Sequence, residues 1–415
     1  MTAARWYFGW NIVAASAVLT ALTVGFRLGT GPFFLPIAQD LGFSRSLLAS
    51  IVAVGMLCYG LAMPLAGHLV ARVGTKATLL LGVSVVIAST ALCVTLRTPL
   101  AFGFAYGIAL SVGLALTSQV TVTPIISRWF TRQRGMALFF LSTGSMAGMA
   151  IMTPVFTAAI AAVGWRATLI GFTALLALLL VPIAWFVMRD DPPEHTDLRP
   201  QDLAVRRPAA AGSVQALRQP TLPEALREGN FWKLFLGLFA CGYSMNLLGT
   251  HGVPMLQDHG FDAHSSAFGI GLIGLVAIVG TLILGRTADR LPRRNILAAI
   301  YAVRGLGFFA LVSVGVHWEL YLAASIGGLV WAGSIAISSA ILADLYGVRL
   351  VGVLYGLAFI GHQLGGMVSS WLGGWGYETF GTHWVAFGSA GTLLLLAALL
   401  SLQLPRSGFR VAAAR

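Results

Sequence analysis

Arg132-Gln-Arg-Gly-Met-Ala-Leu-Phe-Phe-Leu-Ser-Thr-Gly-Ser-Met-Ala-Gly148 returns later in the chain as Arg349-Leu-Val-Gly-Val-Leu-Tyr-Gly-Leu-Ala-Phe-Ile-Gly-His-Gln-Leu-Gly365. Positions 132 and 349, 135 and 352, 144 and 361, and 148 and 365 all keep one offset, 217 residues. A basic residue followed by glycines at matching places in an apolar run reads as one helix used twice. Such a repeat settles the architecture before any local reading. Two further pairs keep nearly the same offset. Gly67-His-Leu-Val-Ala-Arg-Val-Gly-Thr-Lys76 answers to Gly285-Arg-Thr-Ala-Asp-Arg-Leu-Pro-Arg-Arg294. Leu28-Gly-Thr30 with Gln39-Asp-Leu-Gly-Phe43 answers to Leu248-Gly-Thr250 with Gln257-Asp-His-Gly-Phe261. The chain is read as two similar halves, 1–190 and 230–415, joined by a polar connector, 191–229.

Of the 415 residues 57% are hydrophobic and 10% charged, with a mean hydropathy of +0.84. Soluble domains carry about 25% charged residues. Apolar runs of about 20 residues recur, each enough to cross roughly 30 Å of hydrocarbon as a helix. Lipid offers the backbone no hydrogen bonds, so these runs must be helical. The expectation is an all-α integral membrane protein with twelve transmembrane helices in two six-helix repeats. They fall near 9–38 (α1), 46–71 (α2), 76–96 (α3), 99–127 (α4), 134–163 (α5) and 166–188 (α6). The second set falls near 230–256 (α7), 265–287 (α8), 295–315 (α9), 319–343 (α10), 351–376 (α11) and 383–403 (α12). The connector contains prolines, arginines and Ala209-Ala-Ala-Gly-Ser213, a flexible composition. Thr221-Leu-Pro-Glu224 has the spacing of a capping box and predicts a short helix before α7.

Cys58, Cys93 and Cys241 all lie within expected spans and suggest neither a disulfide framework nor a metal site. The first apolar run is too long for a signal-peptide core and is kept as a span. The net charge of +12 reflects topology rather than nucleic-acid binding. Arg72, Lys76, Arg128, Arg132, Arg134, Arg286, Arg290, Arg293, Arg294 and Arg349 fall in even-numbered loops, whereas Arg45, Arg97 and Arg166 fall in odd-numbered ones. Cytoplasmic loops keep the positive charge. Both termini and the connector are therefore expected in the cytoplasm, on a multi-pass protein of the inner (plasma) membrane.

Gly67 to Lys76 resembles the loop between helices 2 and 3 of the major facilitator superfamily, and Gly285 to Arg294 its copy between helices 8 and 9. The first copy has Ala71 where the family places an acidic residue, and the second keeps Asp289. The resemblance implies the major facilitator fold, a cavity lined by α1, α4, α7 and α10, and a cytoplasmic gate. That gate would comprise Gly67, Arg72, Gly74, Lys76, Asp289, Arg290 and Arg293. More narrowly, the chain is similar to the monocarboxylate and oxalate/formate transporters. The matching pieces are Tyr7-Phe-Gly-Trp10, Arg128-Trp-Phe-Thr-Arg-Gln-Arg-Gly135, and Arg189-Asp-Asp-Pro-Pro-Glu194 followed by Phe231-Trp232. One feature departs from that group: α8 has Ala277 and Thr281 at depths where members carry an arginine and an aspartate.

All fourteen acidic residues fall in loops or at helix ends, and no expected span interior contains a carboxylate. The interior does contain Arg27, Arg304, His251 and His362. A buried charge is costly without a partner, so a positive, acid-free interior favours an anionic substrate over a cation. Arg27 lies about 25 Å along α1, and its planar fork matches a carboxylate. Arg304, about 13 Å into α9, either binds substrate or braces the second half, with Asp344 as the suggested partner. His362 and Gln363 replace Ser145 and Met146 of the first copy near the midplane, where an imidazole can hold an anion or a proton. Gln119, Tyr243, Asn246 and Trp331 complete the expected substrate contacts.

The expected function is secondary transport of a small organic anion, a monocarboxylate, by alternating access with proton symport or anion exchange. The alternative is efflux of lipophilic compounds by the same fold. No His-Glu-x-x-His, Gly-x-Ser-x-Gly or phosphate-binding loop is present, so no enzyme activity, metal or cofactor is expected. The expected partners are the anion, a proton or counter-anion and the lipid bilayer, around a monomer.

Overall fold

The computed structural model describes residues 7–130, 133–192, 221–288 and 290–406. Among them the chain is helical with no strand, and ten helices are long and apolar enough to cross a membrane. Two of these, Arg45–Thr95 and Met136–Val187, have 51 and 52 residues. At 1.5 Å per residue each runs about 75 Å, more than twice the hydrocarbon thickness. Each is folded back at a glycine, Gly74 (φ 85°) and Gly164 (φ 79°), in a conformation that L side chains avoid. Counting both legs of each gives twelve crossings among the described residues and places Tyr7 and Arg406, the first and last of them, at one face, here called the terminal face. The opposite one is the distal face. The remaining helices include α7 (Gly229–Asp258), α8 (Ala263–Ala288), α9 (Arg293–Val312), α11 (Val348–Phe380) and α12 (Trp384–Leu402).

Three expected helices are interrupted. α1 runs Gly9–Leu28 and resumes as Gly31–Leu41. α4 starts as Pro99–Phe102, passes through a π-helical turn at Gly103–Ala109, stops at Leu116 and restarts at Gln119. α10 runs His317–Leu329 and Gly333–Tyr346. The capping box is present: the Thr221 amide donates to Glu224 Oε2 at 2.8 Å, opening Leu222–Arg227.

The repeat is visible in how the copies pack. A methyl group at Gly144 or Gly148 would collide with the backbone of Ala17 or Ala21 on α1. Their counterparts Gly361 and Gly365 lie against Phe235 and Phe239 on α7, 218 residues after Ala17 and Ala21. Glycines in membrane helices permit this close backbone approach, which replaces the hydrophobic drive that lipid removes. The repeated Leu-Gly-Thr meets its own copy across the middle of the molecule. A Cβ on Gly249 would sit 2.9 Å from Leu28 O, and one on Gly31 would sit 3.1 Å from Gly249 O.

The two halves are joined toward the distal face and parted toward the terminal face. On the distal side Arg45 donates to both carboxylate oxygens of Asp258 at 2.5 and 2.9 Å, and His383 Nε2 lies 2.9 Å from the same carboxylate. Arg45 also stacks over Tyr377, and the Ser46 amide donates to Glu378. His259, just past α7, is held below its usual pKa by burial and by nearby His383, against the opposing pull of Asp258. A seam between α2 and α11 follows the same trend. Gly374 packs on Ala49 and Gly60 packs on Gln363, but Gly67 and Gly356, each two turns nearer the terminal face, have nothing within 4 Å.

At the terminal face Tyr7, Phe8, Trp129 and Arg189, from three of the matching pieces, form one cluster. Tyr7 donates to Trp129 O at 2.5 Å, Trp129 Nε1 donates to Arg189 O at 2.7 Å, and Arg189 lies over Phe8. Asp190 accepts from the Thr75 hydroxyl at 2.6 Å and the Thr75 amide at 3.0 Å, capping α3 just past the Gly74 turn. A carboxylate there suits the positive end of the helix, and it reaches the loop from α6 where Ala71 offers none. Of the expected gate residues, Arg72 and Arg290 are exposed, Lys76 stacks on Trp185, and Arg293 pairs with Asp344. None of these contacts crosses between the halves; Asp289 lies outside the described residues. Asp190→Ala should lower stability by about 1 kcal/mol, the usual cost of losing a helix cap. A shift of a few degrees in the melting temperature of detergent-purified protein checks it, and an unchanged melt contradicts it.

Candidate functional site

Arg27 sits on α1 just before the Leu28-Gly29-Thr30 break, at the level where the halves meet. Its Nη2 donates to Gln363 Oε1 at 2.8 Å, to Asn246 Oδ1 at 3.0 Å and to Met56 Sδ at 3.1 Å. The guanidinium lies 4.1 Å over the Tyr59 ring. Two acceptors, Asn246 on α7 and Gln363 on α11, belong to the opposite half. The side chain therefore bridges the halves through neutral groups, with no carboxylate among its contacts. None of the three hydrogen bonds uses Nη1 or Nε.

Arg27 also borders a small cavity inside the first half, of about 40 Å³. Its lining includes Val52, Met56 and Tyr59 of α2 and Tyr106, Leu110 and Leu114 of α4. Tyr106 rides on the π-helical turn; such turns occur often at functional sites. A smaller space shares Thr30, Val52 and Tyr106 and extends past Leu48 toward the Arg45–Asp258 pair.

The other expected contacts are divided. His362 is buried, stacked on Phe359 with ring centroids 4.7 Å apart, and both ring nitrogens lack a partner. Its charged neighbours are Arg27 and Arg304. The amide nitrogen of Gln363 and the indole nitrogen of Trp331 are likewise buried and unpaired. Tyr243 turns away from Arg27 and bonds Ser389 on α12 at 2.7 Å. Gln119 begins the second segment of α4 and lies 3.5 Å from Ser142. His251 bonds Ser370 O at 2.8 Å and lies against Phe34.

Arg304 does not brace against Asp344, which is taken by Arg293. Its Nη2 instead donates to Val330 O at 3.2 Å and to Trp331 O, the carbonyls freed where α10 breaks, and Nη1 donates to Cys241 Sγ at 3.3 Å. A helix end exposes carbonyls with no partner along the chain. Those carbonyls neutralise part of the charge without any carboxylate. At the α4 break hydroxyls do that work: Thr121 donates to Leu116 O at 2.7 Å and Thr117 to Leu114 O at 3.2 Å.

Tyr59, Met56 and Tyr106 were not singled out in the sequence, nor was the ion pair Arg45–Asp258. The first three sit in continuous apolar runs. For Arg45 and Asp258 the sequence carries no pairing signal: Asp258 lies inside the second copy of the motif ending in Gly-Phe, and Arg45 two residues past the first.

Residues 13–316 and 234–412 match the family model described as Major Facilitator Superfamily. The uncharacterized MFS-type transporter YcxA of Bacillus subtilis (strain 168) is 26% identical over 373 residues, covering 88% of this chain and 87% of its own. Monocarboxylate transporter 11 of Homo sapiens is 25% identical over 438 residues, covering 96% and 83%. Among solved structures, the inward open conformation of the xylose transporter XylE from E. coli superposes with a TM-score of 0.72 at 15% identity, covering 96% of this chain and 97% of that one.

Removing Asp258 should weaken the distal closure. With spin labels on exposed Leu100 and Trp318, at the α3–α4 and α9–α10 turns, Asp258→Ala should add a population at longer distance. An unchanged distance distribution would show that the ion pair does not hold that face shut.

Proposed function

The chain belongs to the Major Facilitator Superfamily, and from that premise we propose that it is a secondary transporter of a small organic anion, a monocarboxylate. The observation that carries this reading is the Arg27 guanidinium, bonded across the halves to two amide oxygens and within its own half to a thioether. A cation in a low-dielectric interior gains most from a negative partner, and a carboxylate is the stronger acceptor. An incoming acid takes the guanidinium and frees Asn246 and Gln363. The bonds that tie α1 to α7 and α11 then give way to bonds with the substrate. Binding and rocking are coupled through one side chain.

The coupling partner is a proton or a second anion. In the symport form of this reading His362, with both ring nitrogens unpaired, takes the proton once the substrate carboxylate offsets the charge of neighbouring Arg27. The relation to monocarboxylate transporter 11 supports the substrate class. The basic loops at the terminal face support a cytoplasmic location for that face in the cell membrane. A lipophilic neutral compound would suit the apolar cavity walls, but its uptake would not need Arg27.

Uptake of labelled acids into proteoliposomes tests the reading, with wild type and Arg27→Ala run side by side. A charge-assisted hydrogen bond is worth about 1.5–3 kcal/mol, so KM should rise roughly 10–100-fold in the variant. Stimulation by an inward proton gradient, lost in His362→Ala, would assign proton symport; trans-stimulation by internal acid would assign exchange. Saturable uptake unchanged in Arg27→Ala would overturn the proposal.

A further inference from the structure

We infer that His383 is a proton site at the distal face, and that a proton taken there loosens the closure of that face. One carboxylate oxygen, Asp258 Oδ2, serves two donors: Arg45 Nη1 at 2.5 Å and His383 Nε2 at 2.9 Å. The first contact crosses between the halves, whereas the second lies within one half. His383 stands just before α12, in the turn that follows Gly381 (φ 65°), and its side chain is buried.

An ionised carboxylate only accepts, so Nε2 carries the hydrogen of the neutral ring and Nδ1 is the atom that gains a proton. That nitrogen is buried with no partner. Each neighbouring element brings a group to the ring. From α7 come Asp258 and, with its ring centroid 6.0 Å away, His259; deeper in α7, His251 is bonded to Ser370 O. From α11 Tyr377 stacks on it at 4.3 Å, and the next residue, Glu378, accepts from the Ser46 amide. From α2 comes Arg45, which also covers the Tyr377 ring, and from α12 itself Phe387.

While the face is closed, a proton on Nδ1 has two costs. It sets a second cation beside Arg45 on one shared oxygen, and it adds a buried N–H with no acceptor. When the halves part, Arg45 leaves with the first half, while Asp258 and His383 remain a pair within the second. Water then reaches Nδ1, and the imidazolium alone answers the carboxylate. Both costs fall away on opening, so protonation and opening favour each other by linkage. An imidazole titrates close to neutrality, so acid on the distal side draws the molecule toward its distal-open state. No substrate enters this coupling, which is separate from the anion reading of Arg27.

The test places spin labels on exposed Leu100 and Trp318 of the full chain in proteoliposomes, with half-buried Cys58 replaced by alanine. Distances are read at about pH 8 and about pH 5, on either side of the imidazole range. With His383 present, the ratio of long to short distances should rise roughly threefold or more in acid. His383→Gln keeps a donor for Asp258 but takes no proton, and should hold the ratio constant. His259→Gln should leave the rise intact. A ratio that ignores pH, or falls in acid, overturns the proposal. So does a rise that survives in His383→Gln or disappears in His259→Gln. Should His383→Gln not fold, the unsubstituted site and His259→Gln decide by the same criteria.

Discussion

A positive charge half-buried between two helical bundles, with no negative side chain bonded to it among the described residues, is the constraint around which this molecule is arranged. Arg27 satisfies its fork with whatever neutral acceptors the facing half supplies, two amide oxygens on α7 and α11. Removing that charge from water is costly, and dipoles return only part of the cost. The halves therefore meet at the level of a residue whose bonding is provisional. Around it the packing is made to allow close approach: Leu-Gly-Thr crosses its own copy just distal to the guanidinium, and backbone touches backbone where side chains would hold α1 and α7 apart.

The halves repeat in backbone but not in polar detail. α4 and α10 both break, within about one turn of related positions, yet one break is satisfied by threonine hydroxyls and the other by Arg304. Likewise α5 offers Ser145 and Met146 where α11 offers His362 and Gln363. The first half holds the cavity and the charge, and the second holds the acceptors that release it. The division of labour is written in side chains laid over one repeated scaffold.

Much of the fold was legible because its signals are strong ones. Long apolar runs define spans, and glycines at a fixed offset reveal duplicated packing. Arg27, Asn246 and Gln363 stood out as polar groups in apolar surroundings, and the structure brings these three together. The partners on α2 and α4 did not stand out. In a helix that is apolar all round, the faces toward lipid, protein and cavity have the same composition, so periodicity is silent. Nothing in Ile51 to Met63 marks Met56 and Tyr59 as the face beneath a guanidinium. Arg304 does brace the second half, but the α10 carbonyls rather than Asp344 are its partners, and these were hidden for a related reason. The break in α10 leaves no punctuation in Leu329-Val-Trp-Ala-Gly333 beyond its glycine, so the freed carbonyls were invisible.

The seam between α2 and α11, in contact at Gly60 and Gly374 and parted at Gly67 and Gly356, has a consequence for the surrounding lipid. A body closed at one face and parted at the other is tapered, and it displaces unequal area in the two leaflets. In the proposed alternating-access cycle, rocking reverses the taper, and part of the switching free energy is then work against the lateral pressure of the acyl chains. Lipids that change spontaneous curvature bias the two states in opposite senses, without touching Arg27 or the cavity beside it.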